Sequence, residues 1–217
     1  MMPAIINTVI MIVLTLMLAV PIGVFAAIYL VEYSKRGNRF VKIIRVTAET
    51  LSGIPSIVYG LFGYIVFVIT LGWSFTLLSG VITMAIMILP LIMRTTEEAL
   101  MAVPDSFREG SFGLGAGRLR TVFRIVLPSS VPGILSGVIL AIGRIVGESA
   151  ALIFTSGTNP VVPKSLFSSA STLSVHLYTL LNEGRYTDQA YATAVVLLIV
   201  VIIINALSSV VAKKLSR

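Results

Sequence analysis

Two ionisable side chains stand where an apolar chain has little use for them. Arg144 and Glu148 lie in AIGRIVGESAALIF (141–154), which otherwise reads as greasy helix. A charge at the centre of a membrane helix costs about 2.5–3.5 kcal/mol on insertion scales. A guanidinium placed there has an obvious chemistry: its planar fork gives paired, charge-assisted hydrogen bonds to an oxyanion. The carboxylate has two readings. It accepts a hydrogen bond from an anion that still carries a proton, or it holds the arginine until an anion arrives. Four residues apart on one helix, the two also share a face and can neutralise each other. Neutralisation explains how the charges are tolerated but not why they are present.

The face they occupy is unusual. Gly137, Ala141, Arg144, Glu148, Ala151 and Thr155 follow helical spacing, and the opposite side carries Leu135, Ile139, Ile142, Val146 and Ile153. One stripe is small and polar, the other bulky. Small residues either let a neighbouring helix approach closely or leave room for a solute, and a stripe facing a pathway fits both the charges and the space.

These charges need a scaffold, and the composition says which kind. Of 217 residues 57% are hydrophobic and 12% charged, against about 25% charged in soluble domains. Residues 1–31, 50–93, 125–143 and 189–212 contain no charge. About 20 apolar residues cross a bilayer as helix, and the alternation of a β-barrel is absent. The expectation is an all-α polytopic membrane protein forming one domain over 1–217. Its five spans are approximately 4–31, 52–71, 75–94, 129–155 and 189–212. The first segment lacks a basic leader and is too long for a signal peptide, so it is expected to remain as a span. Pro21 and Pro90 fall inside spans, where neighbouring helices tolerate their missing hydrogen bonds.

The net charge of +7 follows topology rather than nucleic-acid binding. Lys35, Arg36, Arg39, Lys42 and Arg45 sit between the first two spans. Arg108, Arg118, Arg120 and Arg124 sit between the third and fourth, and Lys213, Lys214 and Arg217 end the chain. Five spans put these segments on one side, which the positive-inside rule makes cytoplasmic. The N-terminus is then outside and the C-terminus inside. Only Lys164 and Arg185 fall on the other side, where the turn TLGWSFTLLSG (70–80) places Trp73 near the interface.

Two connections are too long for turns. The outer one, 156–188, is rich in Ser and Thr and reads either as a solvated loop or as a lining of the pathway. Its LSVHLYTLL stretch is a candidate surface helix, and His176 within it is read as structural. The inner connection, 95–128, divides into pieces. Pro104 ends a first helical stretch. Ser106 with Glu109 has capping-box spacing, so a short helix should start there. Gly115 and Gly117 should stop it, since glycine accepts the left-handed conformation at a helix end. The expected helix spans roughly 106–114.

No GxxxxGK[ST] is present, so the chain is not itself a P-loop ATPase. It has no HExxH, no nucleophile elbow, no His/Asp/Glu cluster and no cysteine. The reading is a non-enzymatic protein with no cofactor, no metal and no catalytic residue.

At the inner connection the sequence resembles a known family. Glu109-Gly110-Ser111, then Gly115, then Ile125-Val126-Leu127-Pro128 resembles the EAA loop of ABC importer permeases, with Gly110-Ser111 in place of two alanines. With GIPSIVYGLF (53–62), LPLIMRTTEEAL (89–100), LPSSVPGILSG (127–137) and GRIVGESAALIFTSG (143–157), nearly the whole chain resembles phosphate importer permeases of the PstA type. The resemblance implies the type I importer permease fold, with 95–128 as the cytoplasmic EAA loop and 106–114 as its coupling helix. It assigns Ser106, Glu109, Gly110, Ser111 and Gly115 to coupling with an ATPase. It points to Arg144, Arg94 and Glu148 as pathway residues for inorganic phosphate; from the residues alone, Arg94 near a span end reads as a snorkelling anchor. It implies a second permease subunit of the PstC type, a dimer of cytoplasmic ABC ATPases and an extracytoplasmic phosphate-binding protein, all at the cytoplasmic membrane. Such relatives carry six spans, and residues 4–31 correspond to their second. The alternatives are a permease for molybdate or sulfate, and a secondary transporter working without an ATPase.

Overall fold

The computed structural model describes residues 1–34, 37–184 and 186–215, with the side chains of 208 and 211–215 excepted. Lys35, Arg36, Arg185 and Arg217 of the charge pattern lie outside the described residues. Every regular element among them is helical. They are α1 (Met2–Ile28), α2 (Arg39–Ser52), α3 (Ser56–Gly63), α4 (Leu77–Met101), α5 (Asp105–Gly113), α6 (Arg118–Thr121), α7 (Leu127–Gly147), α8 (Ala150–Thr155), α9 (Leu173–Glu183) and α10 (Thr187–Leu215). Wider π turns extend α1 through Tyr29–Tyr33 and α3 through Tyr64–Thr70, and join α6 to α7 through Val122–Val126.

Four of these helices are long and apolar enough to cross a membrane: Met2–Tyr33, Leu77–Met101, Arg118–Gly147 and Thr187–Leu207. The fifth crossing differs from the expected 52–71. Arg39–Ser52 and Ser56–Thr70 meet at 101°, across Gly53-Ile54-Pro55. Proline lacks the N–H and restricts the residue before it, so the helix cannot run through. The Ser56–Thr70 arm is about 22 Å long at 1.5 Å per residue, short of a hydrocarbon core of ~30 Å. The other arm, α2, falls where the sequence suggests an inner loop. It is amphipathic: Val41, Ile44, Ala48 and Leu51 pack inward, while Lys42 and Arg39 alternate with them at helical spacing.

α4 is the axis of the bundle. It packs along α1 on one side and α7 on the other, and Met84, Met87, Ile88 and Ile92 are fully buried there. The small stripe of α7 proves to be a packing stripe over its first half. A side chain at Gly133 would run into Ala99, and one at Gly137 into Thr95. Ala141 is buried as well. Close approach, not room for a solute, is what these residues provide. On α3, a Cβ at Gly60 would stand 2.8 Å from Ala151 Cα and 3.1 Å from the Ala150 carbonyl. Gly60 therefore lets α3 lie directly on the α8 backbone.

The Ser/Thr-rich connection is exposed at 158–161 and 164–167, but its backbone is tied into the bundle. Carbonyls of Ser168 and Leu166 accept from the N–H groups of Leu77 and Leu78, both at 2.9 Å. These are first-turn donors of α4 that no intrahelical acceptor reaches. The Asn7 side-chain amide donates to the carbonyls of Val161 and Ser171 at 3.1 and 3.0 Å. The Ser156 hydroxyl donates to the Ala170 carbonyl. The segment closes the end of the bundle opposite α5. α9 forms as expected, capped by Thr172, but its first turn is buried rather than on the surface. Trp73 stacks on Phe67 with ring centroids 5.6 Å apart and meets Phe167 edge-on.

Candidate functional site: a helix break beside Arg144 and the exposed helix α5

The expected fourth span, 129–155, is not one helix. α7 ends at Gly147, Glu148 is extended (φ −76, ψ 125), and α8 restarts at Ala150. Backbone leaves a helix inside a membrane domain only where its polar groups find partners. Here three of the groups at the break have partners. Glu148 N–H donates to the Ile145 carbonyl at 3.3 Å. The Glu148 carboxylate accepts from Ala151 N–H at 3.1 Å. The Glu148 carbonyl accepts from the Ser174 hydroxyl at 2.6 Å.

Glu148 is 9% exposed and its carboxylate caps α8. The expected partnership with Arg144 is absent, because four-residue spacing brings side chains together only along a continuous helix. Among the described residues no carboxylate lies within ion-pair distance of Arg144. It is half-buried and close enough to Tyr59 for its charge to act on that hydroxyl. Tyr59 in turn donates to the Leu51 carbonyl at 2.8 Å, across the α2–α3 bend.

The capping role of Glu148 carries an expected outcome. Glu148→Gln and Glu148→Leu both remove the charge, but only glutamine keeps an acceptor for Ala151 N–H. An unpaired buried donor costs about 1–3 kcal/mol. The leucine variant is expected to be less stable than the glutamine variant by that amount in denaturant titrations of the purified membrane protein. Equal stability would refute the capping role.

Arg94 is placed elsewhere. Its side chain is exposed, 3.4 Å from Glu98 and 3.9 Å from Glu49 on α2. Thr95 is level with Gly137, so Arg144 lies about 10 Å further along the bundle, at 1.5 Å per residue. The structure does not bring the two arginines together. It sets both against the bent α2–α3 segment, Arg94 at one arm and Arg144 at the other.

The sequence reading missed Glu97. It is buried and bonded to Arg45 on α2 at 2.9 Å, in a cavity of about 260 Å³ that Arg94, Glu49 and Glu98 also line. The signal available was a second acidic residue in TTEEAL, next to one that faces water.

The short helix expected at 106–114 is present as α5, one residue earlier. Its start differs from the capping box: Pro104 is the N-cap, no side chain caps the first turn, and Ser106 lies within the helix. Proline's fixed φ sets the entry, and Asp105 supplies the first-turn acid that the dipole favours. Gly115 is left-handed (φ +83) as expected. Gly117 is extended instead (φ −73, ψ 161) and precedes α6. Of the expected coupling residues, Ser106, Glu109, Gly110 and Gly115 are exposed. Ser111 is buried, its hydroxyl 2.8 Å from that of Thr121, so it fixes α5 to α6. Phe107, Phe112, Leu114 and Leu119 are exposed around them, Leu114 at 91%.

Membrane-length helices, a broken span beside an arginine with no carboxylate partner among the described residues, and the exposed short helix α5 at one end of the bundle are the architecture of a multi-pass membrane transport protein. The chain belongs to the family of binding-protein-dependent transport system inner membrane components, whose family model matches residues 19–217. It is 35% identical to the probable ABC transporter permease protein YqgI of Bacillus subtilis, over 94% of this chain and 76% of that protein. It is 34% identical to the phosphate transport system permease protein PstA 1 of Mycobacterium tuberculosis, over 89% of this chain and 64% of the relative, so it spans just under two thirds of that protein's length. The fold matches the inward-facing MetNI methionine ABC transporter with a TM-score of 0.75 at 19% identity, covering 97% of this chain and 92% of that one. The chain thus has the fold of ABC importer permeases.

Proposed function

We propose that this chain is the permease subunit of an ATP-driven importer of inorganic phosphate, with Arg144 as the residue that meets the anion. The observation that carries the reading is the state of the buried charges. Glu97 has Arg45, Glu32 has Arg108, and Glu148 caps α8. Arg144 alone among these stands without a carboxylate, and an uncompensated guanidinium inside a bundle is suited to an arriving oxyanion. The PstA relative supports phosphate as that anion. Glu148 acts through the backbone break that it stabilises, and Arg94 with Glu49 and Glu98 forms a charged mouth nearer the α5 end.

The α5 end is cytoplasmic in this reading, and the end closed by 156–172 is extracytoplasmic. The exposed Phe107, Phe112, Leu114 and Leu119, with Glu109 beside them, dock on an ABC ATPase dimer. A second permease of the PstC type completes the pathway, and a phosphate-binding protein delivers the anion from outside.

Two measurements test this. Single cysteines introduced at Lys42 and Lys164 are expected to label only from the cytoplasmic and external sides, respectively. The chain co-expressed with the other three components is expected to give ATP-dependent uptake of labelled phosphate in vesicles, undiminished by excess sulfate or molybdate. External labelling at position 42, or uptake that ignores ATP, would overturn the reading.

A further inference from the structure

Arg108, counted in the sequence only as one of several inner-side cations, is the most heavily bonded side chain at the α5 end. Its guanidinium has five N–H donors, and all five have acceptors. Nε and Nη2 bind the Glu32 carboxylate at 3.2 and 2.7 Å. Nη2 also donates to the Leu100 carbonyl at 2.9 Å. Nη1 donates to the Val103 carbonyl at 2.7 Å and to Asp105 at 3.2 Å.

These acceptors belong to different parts of the bundle. Glu32 sits on the π turn that ends α1. Leu100 is in the last turn of α4, where carbonyls lack intrahelical donors. Val103 belongs to the bend into α5, and Arg108 itself is on α5. The Arg108 and Glu32 side chains are only 14% and 9% exposed. A buried, bidentate and fully satisfied pair is rigid in a way that a surface ion pair is not. Elsewhere on α5, Phe107 and Phe112 are exposed.

We propose that Arg108 is a positioning residue that makes α5, the end of α4 and the end of α1 one rigid unit. Displacement of α5 by an ATPase is thereby carried into α1 and α4. This rests on the reading of α5 as the ATPase-docking helix. Without the clamp, α5 would swing on the Ala102–Pro104 bend and on Gly115, and the movement would stop there.

The test uses the complete importer, with permease partner, ATPase and binding protein. Glu32→Gln is the mild variant: it keeps size and an acceptor but loses the charge and one fork contact. Arg108→Lys keeps the charge but loses the fork. Both complexes are expected to assemble and hydrolyse ATP, while phosphate moved per ATP falls about tenfold, within the usual range of coupling energies. A second readout needs no phosphate. Spin labels at Gly113→Cys, where an added Cβ meets open space at the end of α5, and at Met101→Cys, in a chain without native cysteine, report the distance from α5 to α4. That distance is expected to stay unchanged when nucleotide binds the otherwise native complex, and to shift and broaden in Glu32→Gln.

A nucleotide-dependent shift with the clamp intact would overturn the proposal. So would a normal phosphate-to-ATP ratio in either assembled variant, including the case where less complex assembles but that ratio is unchanged. If the native complex moves no phosphate, the substrate reading fails, and the distance measurement still decides the clamp.

Discussion

Arg144→Met is expected to give a permease that inserts at least as well as the native chain and transports phosphate about a hundredfold more slowly. The two effects have opposite signs, which makes the result hard to imitate by damage. Removing an arginine from within a span lowers the cost of insertion by roughly 2.5–3.5 kcal/mol. Among the described residues no carboxylate is left stranded, because none is paired with Arg144. The loss falls on the anion. A charge-assisted hydrogen bond contributes about 1.5–3 kcal/mol, and 2.7 kcal/mol is a hundredfold. Uptake of labelled phosphate in vesicles measures the rate, and thermal unfolding of the same preparation measures stability. Near-native uptake would remove Arg144 from the pathway. A loss of stability matching the loss of uptake would assign it a structural role instead.

The second large effect concerns Gly60. Gly60→Val is expected to prevent assembly, with destabilisation of at least the roughly 1–3 kcal/mol of an overpacked core. A Cβ there meets the Ala151 Cα at 2.8 Å and the Ala150 and Ala151 carbonyls at 3.1 and 3.3 Å. All three are backbone atoms and cannot rotate aside. α3 would have to leave α8, and α8 is the segment that Glu148 caps. Even Gly60→Ala meets the same atoms, so the yield of folded protein should fall in both variants, more for valine. Native yield and melting temperature in Gly60→Ala would show that the two segments are not held in this register.

Much of this architecture can be read from residue order. The charge-free runs fall within the long apolar helices, and Pro104 and Gly115 bracket α5. These features are local, decided by composition or by one residue's backbone preference. The break at Glu148 was hidden because Ala150-Ala151-Leu152 is good helix sequence and the break depends on Ser174, distant along the chain. The pairing of Arg144 with Glu148 failed for the same reason: the spacing rule assumes the helix continues. Arg108 and Glu97 were invisible as anchors because their partners, Glu32 and Arg45, are remote in sequence. The small stripe of α7 was ambiguous in principle. Glycine and alanine serve packing and solute passage alike, and only the position of α4 decides between them.

The Ser/Thr-rich segment that donates its carbonyls to α4 also imposes an order on the making of the protein. A chain leaves the ribosome N-terminus first. α4 therefore enters the membrane with the N–H groups of Leu77 and Leu78 unmatched, and α1 with the Asn7 amide unmatched. Their acceptors, Leu166, Ser168 and Ser171, are synthesised only after α7 and α8. Until then that end of the bundle must borrow water or lipid headgroups. The permease is thus sealed last at the end that its α5 does not occupy. A nascent chain arrested before residue 166 would display open polar backbone there, at the N–H groups of Leu77 and Leu78.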